Sequence, residues 1–254
     1  MTVSFGAIAF SYDAGQSRMA DYAQHTIGSK NPLKRWLHKQ RFAASFRLLD
    51  LHDGQRFLDY GCGDGELSLQ ISRHFPHVEV VSYDPADELF VQAQRKLAHS
   101  ARVTVTRDFD SITGSFDRIA CLETIEHLPP KELEALFQNI KKVLKEDGQC
   151  LFTFPVEHGF ASLTKNSYRL LTKRDKYASV GRTVKAVLGL HVEREPQESL
   201  SGCNYIYSHI GFNCRNMVRS IEKHFTVLRT AVLPAGTVHL GLGNGLAVIV
   251  KRRS

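Results

Sequence analysis

The amino-acid sequence predicts an α/β fold built on a mainly parallel seven-stranded sheet, with helices on both faces and an antiparallel last strand. From residue 56 onward, short apolar segments alternate with amphipathic ones, and a glycine-rich turn follows the first apolar segment. Two β-like segments, 225–233 and 245–252, lie near the end of the 254-residue chain. Alternating strands and helices favour a parallel sheet covered on both faces. The last two segments are expected to pair antiparallel at one edge.

The individual elements follow from the spacing of the apolar residues. We predict helices over 66–75, 88–100, 131–148 and 215–225, and strands over 56–61, 79–85, 101–109, 116–123 and 149–155. Pro129 and Pro130 precede the third of these helices, and Gly148 is expected to cap its C-terminal end.

Three regions divide the chain. Residues 1–54 are predicted to form an N-terminal helical arm, because apolar residues such as Trp36, Phe42 and Phe46 recur at helical spacing. Residues 55–254 are predicted to form the α/β domain, with residues 155–215 as an inserted cap rich in Lys, Arg, His, Ser and Tyr. The arm is expected to cover a ligand pocket, and peripheral contact with a membrane surface is the alternative.

The composition is that of a globular protein. Hydrophobic residues make up 43% and charged residues 23%, which excludes a disordered or coiled-coil chain. No apolar segment approaches the roughly 20 residues of a membrane-spanning helix, and the first residues do not resemble a secretory signal. The net charge of +7 favours anionic partners without selecting one. Five cysteines without a C-x-x-C pair indicate free thiols and a cytoplasmic location.

The strongest site motif is the segment LDYGCGDG at 58–65, where the first strand turns into the first helix. Glycines at such a turn let the backbone bend tightly and let a ligand approach the main chain. Asp84 ends the second strand, where an acid commonly binds ribose hydroxyls. A purely structural role, with tight turns and a helix cap at Asp84, is the alternative.

The acidic side chains of this loop, Asp59 and Asp64, indicate the kind of nucleotide. Acids would repel the pyrophosphate of a dinucleotide at the helix N-terminus. S-adenosylmethionine carries a sulfonium and an ammonium and no phosphate, so acidic neighbours suit it. The loop spacing, G-x-G-x-G, also differs from the G-x-G-x-x-G of dinucleotide sites.

These segments, together with VVSYDP, FDRIACLETIEHL and GQCLFTFP, resemble the class I S-adenosylmethionine-dependent methyltransferases, of the type 11/12 kind, over about residues 55–155. The resemblance implies a Rossmann-like fold and S-adenosylmethionine as cofactor. It also implies contacts to the methionine end, the ribose and the adenine of that cofactor. The methionine end is expected to contact Asp59, Gly61, Cys62, Gly63 and Gly65. The ribose is expected to contact Asp84 and Pro85, and the adenine is expected to contact Asp108 and Phe109.

A second motif, ETIEH at 123–127, follows the fourth strand. If the segment is helical, Glu123, Glu126 and His127 lie on one face, where two carboxylates and an imidazole suit Mg²⁺, Mn²⁺ or Zn²⁺. The string resembles the E-x-x-E-H of metal-dependent O-methyltransferases, namely ubiquinone-biosynthesis enzymes and small-RNA 2′-O-methyltransferases. That resemblance implies a further histidine ligand, for which His209 is the first candidate and His158 the second.

The same residues are the candidates for catalysis. Without a metal, His127 or His209 is the expected general base. Glu126 is a further catalytic candidate. Glu123 is also expected to contact the cofactor.

The sequence therefore predicts an S-adenosylmethionine-dependent methyltransferase that acts on a hydroxyl of a small-molecule or glycan-type acceptor. RNA 2′-hydroxyls are the alternative acceptor. Two alternatives come from other classes: a non-catalytic cofactor-binding regulator or scaffold, and a nicotinamide-dependent reductase. The residues leave the identity of the acceptor and the oligomeric state open.

Overall fold

The computed structural model describes residues 42–156, 211–233 and 245–253, together with 40, 181, 194, 198–200 and 203–206. The helices are α1 (42–48), α2 (Glu66–His74), α3 (Asp87–Leu97), α4 (Pro130–Val143) and α5 (Cys214–His224). The strands are β1 (Arg56–Tyr60), β2 (Glu79–Tyr83), β3 (Val103–Thr106), β4 (Phe116–Leu122), β5 (Leu144–Pro155), β6 (Glu198–Leu200), β7 (Cys203–Tyr205), β8 (Phe225–Leu233) and β9 (Gly245–Arg252). Two 3₁₀ turns, Phe109–Ser111 and Ile125–His127, follow β3 and β4.

Seven strands form one sheet in the order β3-β2-β1-β4-β5-β9-β8. The strands β1 to β5 are parallel to one another, whereas β9 pairs antiparallel with both β5 and β8. The predicted Rossmann-like sheet and the antiparallel pair at its edge are confirmed.

Helices cover both faces of this sheet. On one face, α4 and α5 bury Phe137 and Ile221 against β4 and β5. On the other face, α1 and α2 bury Phe46 and Ile71 against β1 and β2. Both faces of the central strands are thus apolar, as parallel strands between two helical layers require.

The strand order fixes where a ligand can bind. The chain moves outward from β1 to β2 and β3, then returns to β4 on the other side of β1. Ligands of open α/β sheets bind in the crevice at such a switch point, beyond the carboxyl ends of the strands. The loops after β1, β2 and β4 lie at this crevice.

The predicted helix end at Gly148 is wrong. The helix α4 ends at Val143, and β5 begins at Leu144. Gly148 instead lies in β5, where the pairing with β4 shifts register. A Cβ at position 148 would lie 2.9 Å from the carbonyl oxygen of Phe116. Glycine therefore allows close approach of the two strands, a role it commonly has at bulges.

The arm and the insert are described only in part. Residues 42–48 form a helix, as predicted, while Trp36 lies outside the described residues. In the insert, β6 and β7 form a small antiparallel pair that the sequence did not indicate. The boundaries 1–54, 55–254 and 155–215 stay predictions. In the part of the chain that the structure describes, no helix has the length and apolarity needed to cross a membrane.

Candidate active site

The strand β1 ends in a glycine loop, residues 61–65, at the carboxyl edge of the sheet. Gly61, Gly63 and Gly65 have φ angles of 77°, 58° and 80°, a left-handed backbone that glycine adopts without strain. A Cβ at Gly61 would lie 2.6 Å from Oγ1 of Thr124, and one at Gly65 would lie 2.8 Å from Cδ1 of Leu97. The loop is therefore packed tightly against both the turn after β4 and the helix α3.

Asp84 joins the glycine loop to the end of β2. Its Oδ2 accepts a 2.9 Å hydrogen bond from the N–H of Gly63, and its Oδ1 accepts a 3.0 Å hydrogen bond from the N–H of Ala86. Burial raises the pKa of Asp84 to about 6, although these two backbone bonds oppose the rise. Because an ionised carboxylate has about four acceptor positions, Asp84 can shape the loop and still accept from a ligand. Pro85, the next residue, is exposed.

Asp59 lies in β1 and is only 2% exposed. Its Oδ2 accepts a 2.7 Å hydrogen bond from Oγ of Ser68, which in turn accepts a 2.7 Å hydrogen bond from Oγ of Ser82. Burial raises the pKa of Asp59 to about 7, against the lowering effect of Ser68. The carboxyl of Asp59 is therefore only partly ionised at neutral pH.

Asp64, the other acid of the loop, is paired with a lysine of α3. Nζ of Lys96 lies 2.5 Å from Oδ2 of Asp64 and 3.1 Å from Oε2 of Glu66. Burial lowers the pKa of Lys96, but the two carboxylates outweigh burial and the net shift is upward. Lys96 thus neutralises Asp64, and the negative charge expected at Asp59 and Asp64 is weaker than the sequence indicates.

The two residues expected at the adenine differ in exposure. Asp108 is exposed and caps the first 3₁₀ turn, since its Oδ1 accepts a 3.1 Å hydrogen bond from the N–H of Asp110. Phe109 is buried, and its ring centroid lies 5.6 Å from that of Tyr60 and 5.5 Å from that of Tyr83. Asp108 is accessible to a ligand, whereas Phe109 belongs mainly to the core.

The segment 123–127 is not an α-helix. Glu123 has a φ of 53°, and only Ile125–His127 form a 3₁₀ turn. The expected placement of Glu123, Glu126 and His127 on one helical face is therefore wrong. Oε1 of Glu123 accepts a 3.2 Å hydrogen bond from Oγ1 of Thr153 in β5, while Glu126 and His127 are buried.

His127 is held in place by the residue that follows β7. Its Nδ1 lies 2.8 Å from the carbonyl oxygen of Ile206, and the N–H of Ile206 donates a 2.9 Å hydrogen bond to the carbonyl of His127. Because a carbonyl only accepts, we assign the ring hydrogen to Nδ1 and the lone pair to Nε2. Burial lowers the pKa of His127 to about 4, and Arg194 acts in the same direction. The imidazole is therefore neutral at physiological pH.

Two more residues of the insert contact the same turn. The ring of Tyr205 stacks on the imidazole of His127, with centroids 4.5 Å apart and planes 13° apart. Nη2 of Arg194 donates a 2.7 Å hydrogen bond to the carbonyl of Glu126, and its guanidinium lies 5.3 Å from the ring centroid of Phe212. Arg194, Tyr205 and Ile206 therefore lie against the turn that carries Glu126 and His127.

The predicted metal ligands do not come together among the described residues. Within them, no group of three His, Cys, Asp or Glu side chains is arranged to hold a metal ion. Nε2 of His127 lies 3.8 Å from Oε1 of Glu126. His209 and His158 lie outside the described residues. The metal set of Glu123, Glu126, His127 and His209 stays a prediction.

Sequence reasoning missed Ser68, Ser82, Lys96 and Tyr205. The two serines had a usable signal, since each interrupts an otherwise apolar buried face near an acidic residue. A lysine in the last turn of a helix is ordinary, so nothing in the sequence paired Lys96 with Asp64. Tyr205 had no signal, because its contact with His127 joins distant parts of the chain.

The family model described as "Methyltransferase domain" matches residues 57–148. These residues therefore belong to a methyltransferase domain. They include the glycine loop, Asp84 and the turn after β4, so the family match and the geometry of the site concern the same segment.

Curated relatives of the methyltransferase domain match this chain over a limited length. The cyclopropane-fatty-acyl-phospholipid synthase of Escherichia coli (strain K12) is 30% identical over 100 residues, 39% of this chain and 26% of that protein. The ubiquinone biosynthesis O-methyltransferase of Xanthomonas oryzae pv. oryzae (strain PXO99A) is 34% identical over 103 residues, 38% of this chain and 41% of that protein. The matches thus span less than half the length of these relatives.

A solved structure resembles the chain over a greater length. The magnesium protoporphyrin IX methyltransferase from Synechocystis PCC 6803, crystallised with bound SAH, gives a TM-score of 0.55 at 14% identity, covering 91% of this chain and 92% of that one. At such low identity the likeness shows the fold, which agrees with the sheet order described above.

Proposed function

We propose that this protein transfers a methyl group from S-adenosylmethionine to a hydroxyl of a small-molecule or glycan-type acceptor. The observation that carries the proposal is the bond from the N–H of Gly63 to Oδ2 of Asp84. It places a buried carboxylate beside a loop of three left-handed glycines, at the switch point of a sheet whose residues 57–148 match a methyltransferase domain.

The residues of the crevice fit S-adenosylmethionine. We assign Asp59 and the backbone of Gly61, Cys62, Gly63 and Gly65 to the methionine end, because glycines without a Cβ let a ligand approach the main chain. Asp84 and Pro85 are assigned to the ribose, because the carboxylate retains acceptor capacity for hydroxyl groups. Asp108, which is exposed, is assigned to the adenine amino group, with Phe109 behind it.

The glycine loop also fits this donor better than a dinucleotide. Asp59 is only partly ionised and Asp64 is paired with Lys96, so the spacing of the loop carries the distinction. The loop has the spacing G-x-G-x-G over Gly61–Gly65, whereas dinucleotide sites have G-x-G-x-x-G. A reductase that uses nicotinamide is therefore disfavoured.

For the chemical step we assign His127 to the acceptor side. S-adenosylmethionine supplies the methyl group on a positively charged sulfur. The chain must hold the acceptor oxygen in line with that methyl group and receive the hydroxyl proton. Nε2 of His127 has the lone pair for this proton, and Glu126, whose Oε1 lies 3.8 Å away, would stabilise the resulting imidazolium. His209 is the second candidate base.

The choice of oxygen as the acceptor atom rests on the E-x-x-E-H segment and on a relative named as an O-methyltransferase. Nothing in the described residues favours RNA, so it is not proposed as the acceptor. We propose a cytoplasmic location, because the thiols of Cys62, Cys121, Cys150 and Cys214 are free and buried.

The test combines binding with turnover. Calorimetry with S-adenosylhomocysteine and with NADH should show binding of the first and not of the second. A panel of phenolic, sugar and RNA hydroxyl acceptors should then be incubated with methyl-labelled S-adenosylmethionine. We expect label in a small hydroxylated acceptor. Binding without turnover across the panel would favour a regulator or scaffold, and failure to bind S-adenosylhomocysteine would reject the proposal.

The same assay tests the metal set. The protein should be treated with a strong chelator, assayed, and assayed again after Mn²⁺ is added back. If the set is correct, Mn²⁺ restores lost activity in the wild type and not in the Glu123→Ala, Glu126→Ala variant. Full activity in the chelator would contradict it.

A further inference from the structure

A basic cavity lies at the amino edge of the sheet, opposite to the edge that holds the glycine loop. Its volume is about 250 Å³, and it is lined by Lys141, Lys223, His224, Arg252 and Arg253. Lys141 lies in the last turn of α4, Lys223 and His224 end α5, and the two arginines lie at the end of β9 and just after it. Three separate elements thus direct basic side chains to one place.

The four lysines and arginines of the basic cavity have no carboxylate partner within 4.0 Å among the residues that the structure describes. Elsewhere in those residues cations are often paired, as Lys96 is with Asp64 and Lys145 with Asp117. The acid beside the cavity, Glu134, contacts His224, with Oε2 3.2 Å from Nε2. The positive charge of the cavity is therefore largely uncompensated.

Backbone carbonyls hold both guanidiniums in position. Nη1 of Arg253 donates to the carbonyls of Glu222 and Lys223, at 3.3 and 3.5 Å, and Nη1 of Arg252 donates to the carbonyl of Leu144 at 3.5 Å. A guanidinium has five N–H donors. These bonds occupy one nitrogen of each arginine, so the remaining donors can be offered to an anion.

A neutral histidine completes the lining. Burial lowers the pKa of His224, and although Glu134 opposes the shift, Lys141 and Lys223 add to it. The lowered pKa favours the neutral imidazole, whose Nδ1 can accept the 3.3 Å hydrogen bond from Nζ of Lys141. That bond orients the ammonium of Lys141 within the cavity.

Compensation of helix dipoles explains only part of this arrangement. Lysines near helix C-termini interact favourably with the partial negative charge there, which accounts for Lys141 and Lys223. Arg252 and Arg253 also donate to carbonyls at these helix ends, to Leu144 after α4 and to Glu222 and Lys223 in α5. The C-terminal ends of two helices together carry only about one negative charge, which leaves about three of the four positive charges without compensation. Lys223, Arg252 and Arg253 are exposed, so solvent and salt reduce the mutual repulsion of the four cations. A bound anion would remove the repulsion that remains.

We propose that the basic cavity binds a soluble compound that carries two phosphate groups. A phosphate monoester has a charge of about −1.5 to −2 near pH 7, so two such groups match four permanent cations. Arginine forks bind phosphate oxygens in pairs, and lysines add point charges. A single carboxylate would leave most of the cations uncompensated. Because the cavity lies at the opposite edge from Gly61–Gly65, this site is separate from the proposed methyl transfer.

The experiment is calorimetric titration of the full chain with inorganic pyrophosphate, at an ionic strength held constant with KCl. The test variant is Lys223→Gln, Arg253→Gln. The matched control is Arg229→Gln, Lys251→Gln, which removes the same charge from exposed positions of β8 and β9. Lys251 is the neighbour of Arg252 in β9, and consecutive residues of a strand point to opposite faces.

We expect the wild type and the control to bind pyrophosphate saturably and with the same Kd. For the test variant we expect a Kd at least about tenfold higher, because loss of one charge-assisted hydrogen bond changes affinity by about that factor. Orthophosphate should bind more weakly than pyrophosphate. If Lys223→Gln, Arg253→Gln lowers Tm in the absence of pyrophosphate, Arg252→Gln replaces it as the test variant, with Lys251→Gln alone as the control of equal charge.

Three results would overturn the proposal. The first is no heat beyond that of KCl at matched ionic strength. The second is equal weakening in the test variant and the control, which would indicate a general charge effect. The third is binding to phosphatidic acid vesicles with no binding of pyrophosphate, which would indicate a membrane surface. None of these results bears on binding of S-adenosylhomocysteine, so the two proposals fail independently.

Discussion

The N–H of Gly63 donates a 2.9 Å hydrogen bond to Oδ2 of Asp84. This bond connects the loop after β1 to the end of β2, so the acid that would bind a ribose also fixes the backbone that would face the rest of the cofactor. The φ of 58° at Gly63 belongs to the left-handed region, which side chains disfavour. If Asp84 binds the ribose as proposed, one carboxylate couples the geometry of the loop to ligand binding.

Replacing Asp84 with Ala should weaken binding of S-adenosylhomocysteine by about tenfold or more, because hydrogen bonds to a charged group are lost. Asp84→Asn should give a smaller loss, since the amide oxygen can still accept one of the two backbone N–H groups. Calorimetry gives both affinities. The control is Asp87→Asn, which removes an acid that is half exposed and pairs with Arg107. Unchanged affinity in Asp84→Ala would refute the assigned role.

Gly61 and Gly54 form a matched pair for measuring the cost of the tight loop. Both have positive φ, at 77° and 83°, but an added Cβ meets Thr124 only at Gly61 and meets nothing within 4 Å at Gly54. Gly54→Ala should lower the free energy of unfolding by about 1 kcal/mol through backbone strain alone. Gly61→Ala should lower it by a further 1 to 3 kcal/mol, roughly the cost of overpacking. Urea unfolding measures both, and equal losses would show that contact with Thr124 is unimportant.

The backbone of the site could be predicted from the sequence because it depends on local patterns. Glycines that follow an apolar strand give a turn, and the acid at the end of the next strand lies at the same edge of a parallel sheet. Gly63 and Asp84 are therefore brought together by the order of elements alone.

The side-chain partners could not be predicted, because they depend on tertiary packing. Lys96 reaches Asp64 only once α3 lies beside α2, and the chain gives no periodic signal for that contact. Likewise, Gly148 follows a helix-like segment, and the local pattern predicts that it caps a helix. The close approach of Phe116 instead places Gly148 in β5. In both cases a long-range contact overrides the local pattern.

The raised pKa of Asp59 makes stability depend on pH. Its pKa rises from 3.8 when unfolded to about 7 in the fold, so the folded protein prefers the protonated carboxyl. The associated stability is present at acidic pH and is lost as the pH rises through about 7. Asp59→Asn keeps an acceptor for Ser68 and cannot ionise. We expect this variant to gain Tm relative to the wild type at pH 8 and not at pH 4.

The control for this prediction is Asp147→Asn, at an exposed position, which should show little change at either pH. Thermal unfolding followed by circular dichroism provides the measurement. A difference in Tm between Asp59→Asn and the wild type that stays constant from pH 4 to pH 8 would mean that burial does not perturb Asp59.

The ion pairs of Lys96 should contribute more to stability than a surface pair does. The Lys96 and Asp64 side chains are 24% and 8% exposed, whereas those of Arg107 and Asp87 are 59% and 49% exposed. Lys96→Met should cost about 1 to 3 kcal/mol, because it leaves buried carboxylates without a cation. Arg107→Met should cost at most about 1 kcal/mol. Denaturant unfolding of both variants checks this, and similar losses would argue against a role for burial.

His127 allows its structural and catalytic roles to be separated. In His127→Asn the amide nitrogen takes the approximate place of Nδ1 and can keep the bond to the carbonyl of Ile206, but no group replaces the lone pair of Nε2. We expect stability and affinity for S-adenosylhomocysteine to be nearly unchanged, while kcat for a hydroxylated acceptor falls about 10² to 10⁴-fold, the usual loss of a general base. Because a pKa of about 4 keeps the imidazole neutral, this fall should be the same at pH 6 and at pH 8. His127→Asn with full activity would move the base to another residue, and a fall in kcat that appears at one pH alone would contradict the low pKa of His127.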